Sequence, residues 1–527
     1  MTRHPVPSVR SARAALALAA LLGLAACTDA PQPTGPARPG RPGLIQLATG
    51  PVVTSTADPG DGTCDDADTG DGCTLRESIA FASPGATITF APGVTGTITL
   101  TQGELIIGKA LTITGPGARS LAVSGNDVRG VFDVNRVGPV ILEGLTVTGG
   151  NLVGSEGGGI FNGGTLILTR CTVTGNRAVD GGGIANEGTL TVVESTVSGN
   201  HASGYGGGIF SETSDDLSSS STTILNSTVS GNTAGAGGGV VNYEGVARVL
   251  HSTVTANTAP DGGGLWSYGD NVTRTDVASS IVAGNTTDGS TPNDVANNET
   301  TTRYRSLGYN VIGAPGANVD FTLELNQTTD QRNVADPAVL KLGALADNGG
   351  PTRTHAVLAG SAALDKGDPA FDPNAFAPPL TTDQRGTGFA RVSGGSIDVG
   401  AFEYQVAVFP FTGFFQPVDN PGTNDDIVNR AKAGTAIPIK FTLGGNQGLA
   451  IFKPRYPKFV PEACDTGDAP DDIEVTTTSP AGLTYDSGTQ QYTYVWKTDK
   501  GMAGKCGTFE LGLTDSSDHH ALFRFVR

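Results

Sequence analysis

The chain is poor in charge and in aromatic rings: charged side chains make up 16% of its 527 residues and Phe, Trp and Tyr together 6%. That composition gives little support to a helical or ordinary α/β protein. Basic residues are the scarcer kind, with 33 Lys and Arg against 51 Asp and Glu and a formal net charge of −18. A nucleic-acid partner is excluded on this ground, because binding phosphate needs a positive footprint that releases counterions. The apolar run Ala14–Gly23, preceded by Arg3, Arg10 and Arg13, has the length of a secretory signal and not of a membrane span. What the chain has in quantity is glycine, 76 residues, together with Thr, Ser and Asn, the material of turns and short strands.

The signal run ends in Leu24-Ala25-Ala26-Cys27. This stretch resembles the bacterial lipobox, which implies that Cys27 becomes the lipidated first residue of the mature protein. Thr28, where an Asp would signal retention, favours the outer membrane. Residues 28–50 are rich in Pro and Gly and too poor in apolar side chains to offset the entropy of ordering, so they read as a disordered tether. Export permits disulfides, and of the six cysteines the expected pairs are Cys64–Cys73 and Cys464–Cys506, with Cys171 alone. Neither pair has C-x-x-C spacing and the six histidines do not cluster, so zinc is not expected.

From about residue 85, short bursts alternate apolar and polar residues, as in ATITF, ALTITG and LAVSG, the mark of strands with one buried face. The phrase TVTGN at 172–176 returns as TVSGN at 196–200 and 228–232, TVTAN at 253–257 and IVAGN at 281–285. Glycine triplets begin at Gly157, Gly181, Gly206, Gly237 and Gly262, in steps of 24, 25, 31 and 25 residues. A period of this size, built of strands and glycine turns with no helix between them, predicts a β-solenoid with one coil per period. Stacking then places Asn176, Asn200, Asn232 and Asn257 above one another at a corner. It also places Cys171 in the inward slot held elsewhere by Ser195, Ser227 and Ser252, as a buried, unreactive thiol. The expected fold is all-β: a right-handed parallel β-helix of the pectate-lyase-like kind over 51–405, followed by a small immunoglobulin-like β-sandwich over 406–527.

Several segments resemble known families. GGGI-F-N at 157–162 and GGGI-A-N at 181–186 resemble the repeats of polymorphic outer-membrane proteins and autotransporter passengers. The segment 64–82, with Cys73-Thr74-Leu75-Arg76-Glu77, resembles the CSLREA-type motif of bacterial surface β-helices. It is expected to cap the first coil over 58–82 with a helical turn facing inward through Leu75, Ile79 and Ala80. Residues 336–404, with DNGGPT, DQRG and DVGAFE, resemble the closing segment of choice-of-anchor Q proteins. Asp347, His355, Asp365, Asp383, Arg385, Asp398 and Glu403 there are expected to serve turns and caps that close the last coils. Pro438-Ile439-Lys440-Phe441 resembles the PxKF-type domain, whose expected sandwich buries Trp496; His519-His520 reads as a solvated turn.

The resemblances name no activity, and no catalytic constellation stands out. Asp61, Asp66, Asp68 and Asp71 are candidate calcium ligands, but their spacing misses the EF-hand pattern and a solvated, disulfide-bracketed loop accounts for them. Arg170, Arg177, Arg248 and Arg274 look scattered, with no register pairing them to Glu156, Asp180, Glu187, Glu194 or Asp261. Tyr205, Tyr243, Trp266 and Tyr268 lie near the triplet corners of the repeats at 145–290 and are candidate glycan contacts, or else simply cover a corner. The expectation is a surface protein of structural or adhesive role, held to the outer membrane by its lipid, with a polysaccharide or a surface protein as partner. An S-layer-like component would differ only in its partner. The alternative is a polysaccharide lyase or glycosidase acting in the β-helix groove.

Overall fold

The computed structural model describes residues 49–58, 60, 64, 72–213, 220–269, 273–298, 303–405, 409–419, 427–464, 469–473, 477, 480–515 and 517–527. Cys27, the tether up to residue 48, and Asp61, Asp66, Asp68 and Asp71 lie outside them. The chain forms two compact units, one of residues 1–389 with 398–403 and one of 390–397 with 404–527.

The first unit is a right-handed parallel β-solenoid. Among the described residues its strands form three long parallel sheets of ten, nine and eight strands, each complete coil adding one strand to each sheet. Alternation sets the inside: in Thr165–Thr169 Leu166 and Leu168 are buried while Thr165, Ile167 and Thr169 face outward. The register carries these positions from coil to coil without slippage, Leu166 on Val140 and Leu190, Leu168 on Leu142 and Val192. At a coil spacing of about 4.8 Å the buried side chains form continuous columns.

The corners are held by amides. Asn176 Nδ2 donates to Asn200 Oδ1, Asn200 to Asn232, Asn232 to Asn257 and Asn257 to Asn285, each at 2.9 Å. Asn285 Nδ2 ends the ladder on the buried Asp294 carboxylate at 2.8 Å. Each ladder amide also donates to the carbonyl of a strand residue in the preceding coil, as Asn200 does to Val173, and its carbonyl oxygen accepts the backbone N–H of the previous ladder residue. The third glycine of each triplet faces this ladder: a Cβ on Gly183 would lie 2.9 Å from Asn200 Nδ2 and 2.5 Å from Gly208 O. A second corner uses hydroxyls, with Ser195, Ser227, Ser252 and Ser280 each accepting the N–H of the residue one coil before. Cys171 occupies the first slot of this series; burial pushes its thiol up to about 11.

The N-terminal end is covered by helix α1, Leu75–Phe81, opened by a capping box between Thr74 and Glu77. Leu75 and Ile79 enter the solenoid core; Ala80 is exposed, contrary to expectation, and Ser78 is the buried residue beside Ile79 because the helix turns that face inward. Arg76 fixes the cap, pairing with the buried Asp58 at 2.9 and 3.1 Å and reaching Gly103 O. The disulfide Cys64–Cys73 closes the loop before it.

The segment after the last coil departs from the expected end cap. It runs back along the outside of the nine-stranded sheet and hydrogen-bonds to its hydroxyl column. Thr196 Oγ1 donates to Arg353 O, Thr228 Oγ1 to Gln384 Oε1, and Thr253 Oγ1 accepts from Ala401 N. His355 lies between Ser230 Oγ and Gly343 O at 2.7 Å each, and burial lowers its pKa. Its centre is Arg385, sandwiched between the Phe389 and Phe402 rings and paired with the buried Asp383 at 2.6 Å. Asp383 and the Glu403 carboxylate in turn accept the N–H groups of Glu403 and Asp398.

The C-terminal unit packs a four-stranded against a five-stranded sheet. Ile437, Ile439 and Phe441 alternate inward from the strand Ala436–Thr442, and Trp496 lies among Phe459, Phe509, Phe523 and Phe525. Cys464 and Cys506 are bonded. His519 and His520 sit on the strand Asp518–Val526, not in a turn, because they pair with Leu511 and Glu510.

Two outcomes follow. Asn232→Leu strands donors and acceptors on both neighbouring coils and costs about 2–5 kcal/mol by urea denaturation, since each buried group left unpaired costs roughly 1–3 kcal/mol. Arg385→Ala leaves Asp383 buried without its partner and costs about 3–5 kcal/mol, and Arg385→Lys does not restore it, because an ammonium lacks the planar fork; early proteolysis within 336–389 reports both.

Candidate functional site

Most residues of the closing segment that carry acid–base chemistry are committed to structure. Asp383, Arg385, Asp398 and Glu403 form the buried network above, Asp365 N–H is held by Asp398 at 2.7 Å, and Asp347 pairs with Arg119. Asp383, Arg385, Asp398 and Glu403 are buried, whereas Asp347, with its side chain 60% exposed, and Asp365 face solvent. Cys171 is inert.

The eight-stranded sheet carries the feature that sequence pointed to. Its register places Phe210, Val241 and Trp266 in one outward column and Glu212, Tyr243 and Tyr268 in the next. Tyr205 joins from the corner before its triplet. The four candidate aromatics meet: Tyr205 stacks on Trp266 with centroids 5.4 Å apart, Trp266 on Tyr268 at 5.5 Å and Tyr268 on Tyr243 at 4.8 Å. Interplanar angles of 11°, 3° and 20° make this a set of near-parallel rings that engage one another. A sugar face stacks on a free aromatic face, and here neighbours occupy most of those faces.

Beside the rings lies an acidic group that the sequence reading did not assemble. Carboxylate oxygens of Glu156, Glu187 and Glu212, all half-buried, lie within 4.8 Å of one another. Burial, and then repulsion from Glu156 and Glu187, pushes Glu212 up to about 8. Burial likewise raises Asp180, which accepts the Tyr205 N–H at 2.6 Å. The signal was present, since Glu187, Glu212, Tyr243 and Tyr268 each stand six residues after the start of their triplet and Glu156, Asp180 and Tyr205 each stand one before it. That these two series adjoin is a property of the corner between them. The three carboxylates could supply part of the six to eight oxygens that calcium takes.

Three of the four arginines, Arg170, Arg248 and Arg274, are paired, while Arg177 lies exposed on the strand Arg177–Ala178. Arg170 bridges Glu143 and Glu194 on adjacent coils. Arg248 and Arg274 converge with Arg305 on Asp276, whose side chain is 1% exposed. Stacking in register brought Arg170 to Glu143 and Glu194, and Arg248 and Arg305 to Asp276, from positions one coil away, whereas Arg274 lies on the same strand as Asp276.

Glu212 sets a pH dependence. Its folded pKa of about 8 lies above the ordinary 4.5, so the folded state holds a proton that the unfolded state has lost between those values. Its contribution to stability is therefore present at low pH and is lost as pH rises through about 8. Glu212→Gln should be more stable than the parent at pH 9, with the difference closing toward pH 4, as read by urea midpoints across the range.

The family model described as the Chlamydia polymorphic membrane protein repeat matches residues 194–212, from the corner residue Glu194 through Asn200 and the triplet Gly206–Gly208 to Glu212. Comparison with curated proteins and with solved structures returns no match.

Proposed function

We propose that this protein is a surface-displayed β-helix of the outer membrane, anchored by a lipid on Cys27, which acts by adhesion or as a structural component. The observation that carries this reading is the use of its ionisable groups: Asp58, Asp276, Asp383, Arg385 and Glu403 all hold the scaffold together. The polymorphic-membrane-protein repeat at 194–212 supports a surface or outer-membrane location. The C-terminal unit, with its aromatic core and its disulfide, is in this reading an immunoglobulin-like module of the PxKF kind that contacts a partner. The partner is a polysaccharide or a surface protein, and the edge of the Tyr205–Tyr268 ring group is a contact region for it.

One observation favours a second reading, hydrolysis of a glycan. Glu212 is raised to about 8 beside the carboxyls of Glu156 and Glu187, so a proton-holding carboxyl stands next to other carboxyls as a general acid would, although at closer range than the usual glycosidase pair. Incubation of the purified protein with plant and bacterial polysaccharides, with and without calcium, separates the two. Binding without new reducing or unsaturated ends is expected. Product formation abolished by Glu212→Gln would replace adhesion with catalysis, and binding unchanged in the Trp266→Ala, Tyr268→Ala double variant would remove the ring group from the contact.

A further inference from the structure

Among the described residues the outer face of the ten-stranded sheet is largely open to solvent, and its chemistry changes along the solenoid axis. One outward column runs Thr191, Thr223, Arg248, Asp276, Arg305 on successive coils. Arg274, on the same strand as Asp276, adds a third guanidinium. Arg305 makes a two-pronged contact with Asp276, Nε to Oδ1 at 2.9 Å and Nη2 to Oδ2 at 2.8 Å; Arg274 Nε lies 2.9 Å from Oδ1 and Arg248 Nε 3.9 Å from Oδ2. Three guanidinium groups thus share one carboxylate, and among the described residues they have no other ion pair. The side chains of Arg248, Arg274 and Arg305 remain 46%, 42% and 53% exposed. In a chain of net charge −18 this is a local positive surplus.

A single buried acid needs only one arginine to make such a tie, as Asp58 does with Arg76 at the N-terminal cap. Each guanidinium carries more donors than one shared carboxylate can accept, and about half of each side chain is open to solvent, where carboxylate and sulfate oxygens are suitable partners. The hydroxyls of Thr191 and Thr223 continue the same column at the coil spacing of about 4.8 Å, so the strip offers hydroxyl partners and then cationic ones along one line. We infer that this strip binds a linear acidic glycan lying along the solenoid axis, its carboxylate or sulfate groups held by Arg248, Arg274 and Arg305. The inference deepens the adhesive reading by naming its ligand class and a surface separate from the ring group.

The test uses the full chain in detergent with polygalacturonate and heparin as polyanionic glycans, dextran as the neutral control and phosphatidylglycerol vesicles as the lipid control. Both polyanions should bind, more weakly as salt is raised, while dextran and vesicles should not. Arg248→Gln with Arg305→Gln keeps the Arg274–Asp276 pair and should weaken polyanion binding by about 10- to 100-fold. Asp276→Asn removes the one countercharge and should tighten binding, a change that arginines serving only to join coils would not produce. Equal binding of dextran, unchanged affinity in the double variant, or vesicle binding without glycan binding overturns the inference. The adhesive reading fails separately, through product release or through absence of the protein from the cell surface.

Discussion

A buried amide that must find partners above and below it governs this molecule. Asn176, Asn200, Asn232, Asn257 and Asn285 can satisfy donor and acceptor only if every coil repeats the same corner at the same height. The facing backbone has to come close enough to exclude water, and the third glycine of each triplet allows it, since a Cβ there would strike the amide or the next carbonyl. Asparagine and glycine are two halves of one corner. Once it is set, the inward Leu, Ile and Val columns and the Ser column fall into register, because the strands between corners have no freedom to slip.

The ladder needs an end as well as a beginning. It closes on Asp294, whose Oδ1 accepts both the N–H and the amide of Asn285 while Oδ2 takes the Ala314 N–H. Burial pushes this carboxyl up to about 6, against the stabilising effect of those three donors. At the other end, helix α1 covers the apolar core and Asp58–Arg76 ties it down. The flank needs cover too: the closing segment binds the outward Thr and Ser of the nine-stranded sheet, so that sheet is no longer available to a partner where the segment lies. The remaining two faces differ in character, one carrying rings and carboxylates, the other hydroxyls and guanidinium groups.

The four aromatics illustrate how neighbours alter a site. Phased on the glycine triplets, they belong to one edge of the solenoid, and they do meet there. A sugar platform also needs open faces, and the orientation of the rings is decided by the side chains around them, here by one another. The closing segment teaches the same lesson at larger scale. Its Asp and Arg residues serve turns and buried pairs as their positions suggested, yet they brace the side of the solenoid across several coils, which no local pattern encodes.

The sequence by itself determined the coil: its period, its strand phrases, its glycine and asparagine corners and the inward slot of Cys171. In a parallel, in-register stack, residues one period apart become neighbours, so a repeat in one dimension is already a contact map. Only the tertiary structure decided which columns adjoin across a corner, as with Glu156 against Glu187 and Glu212, and which non-repeating charges converge, as with Arg305 on Asp276. It also decided where the closing segment docks. Those contacts depend on the angle of each turn and on side-chain reach across columns, and neither has a period that can be read along the chain.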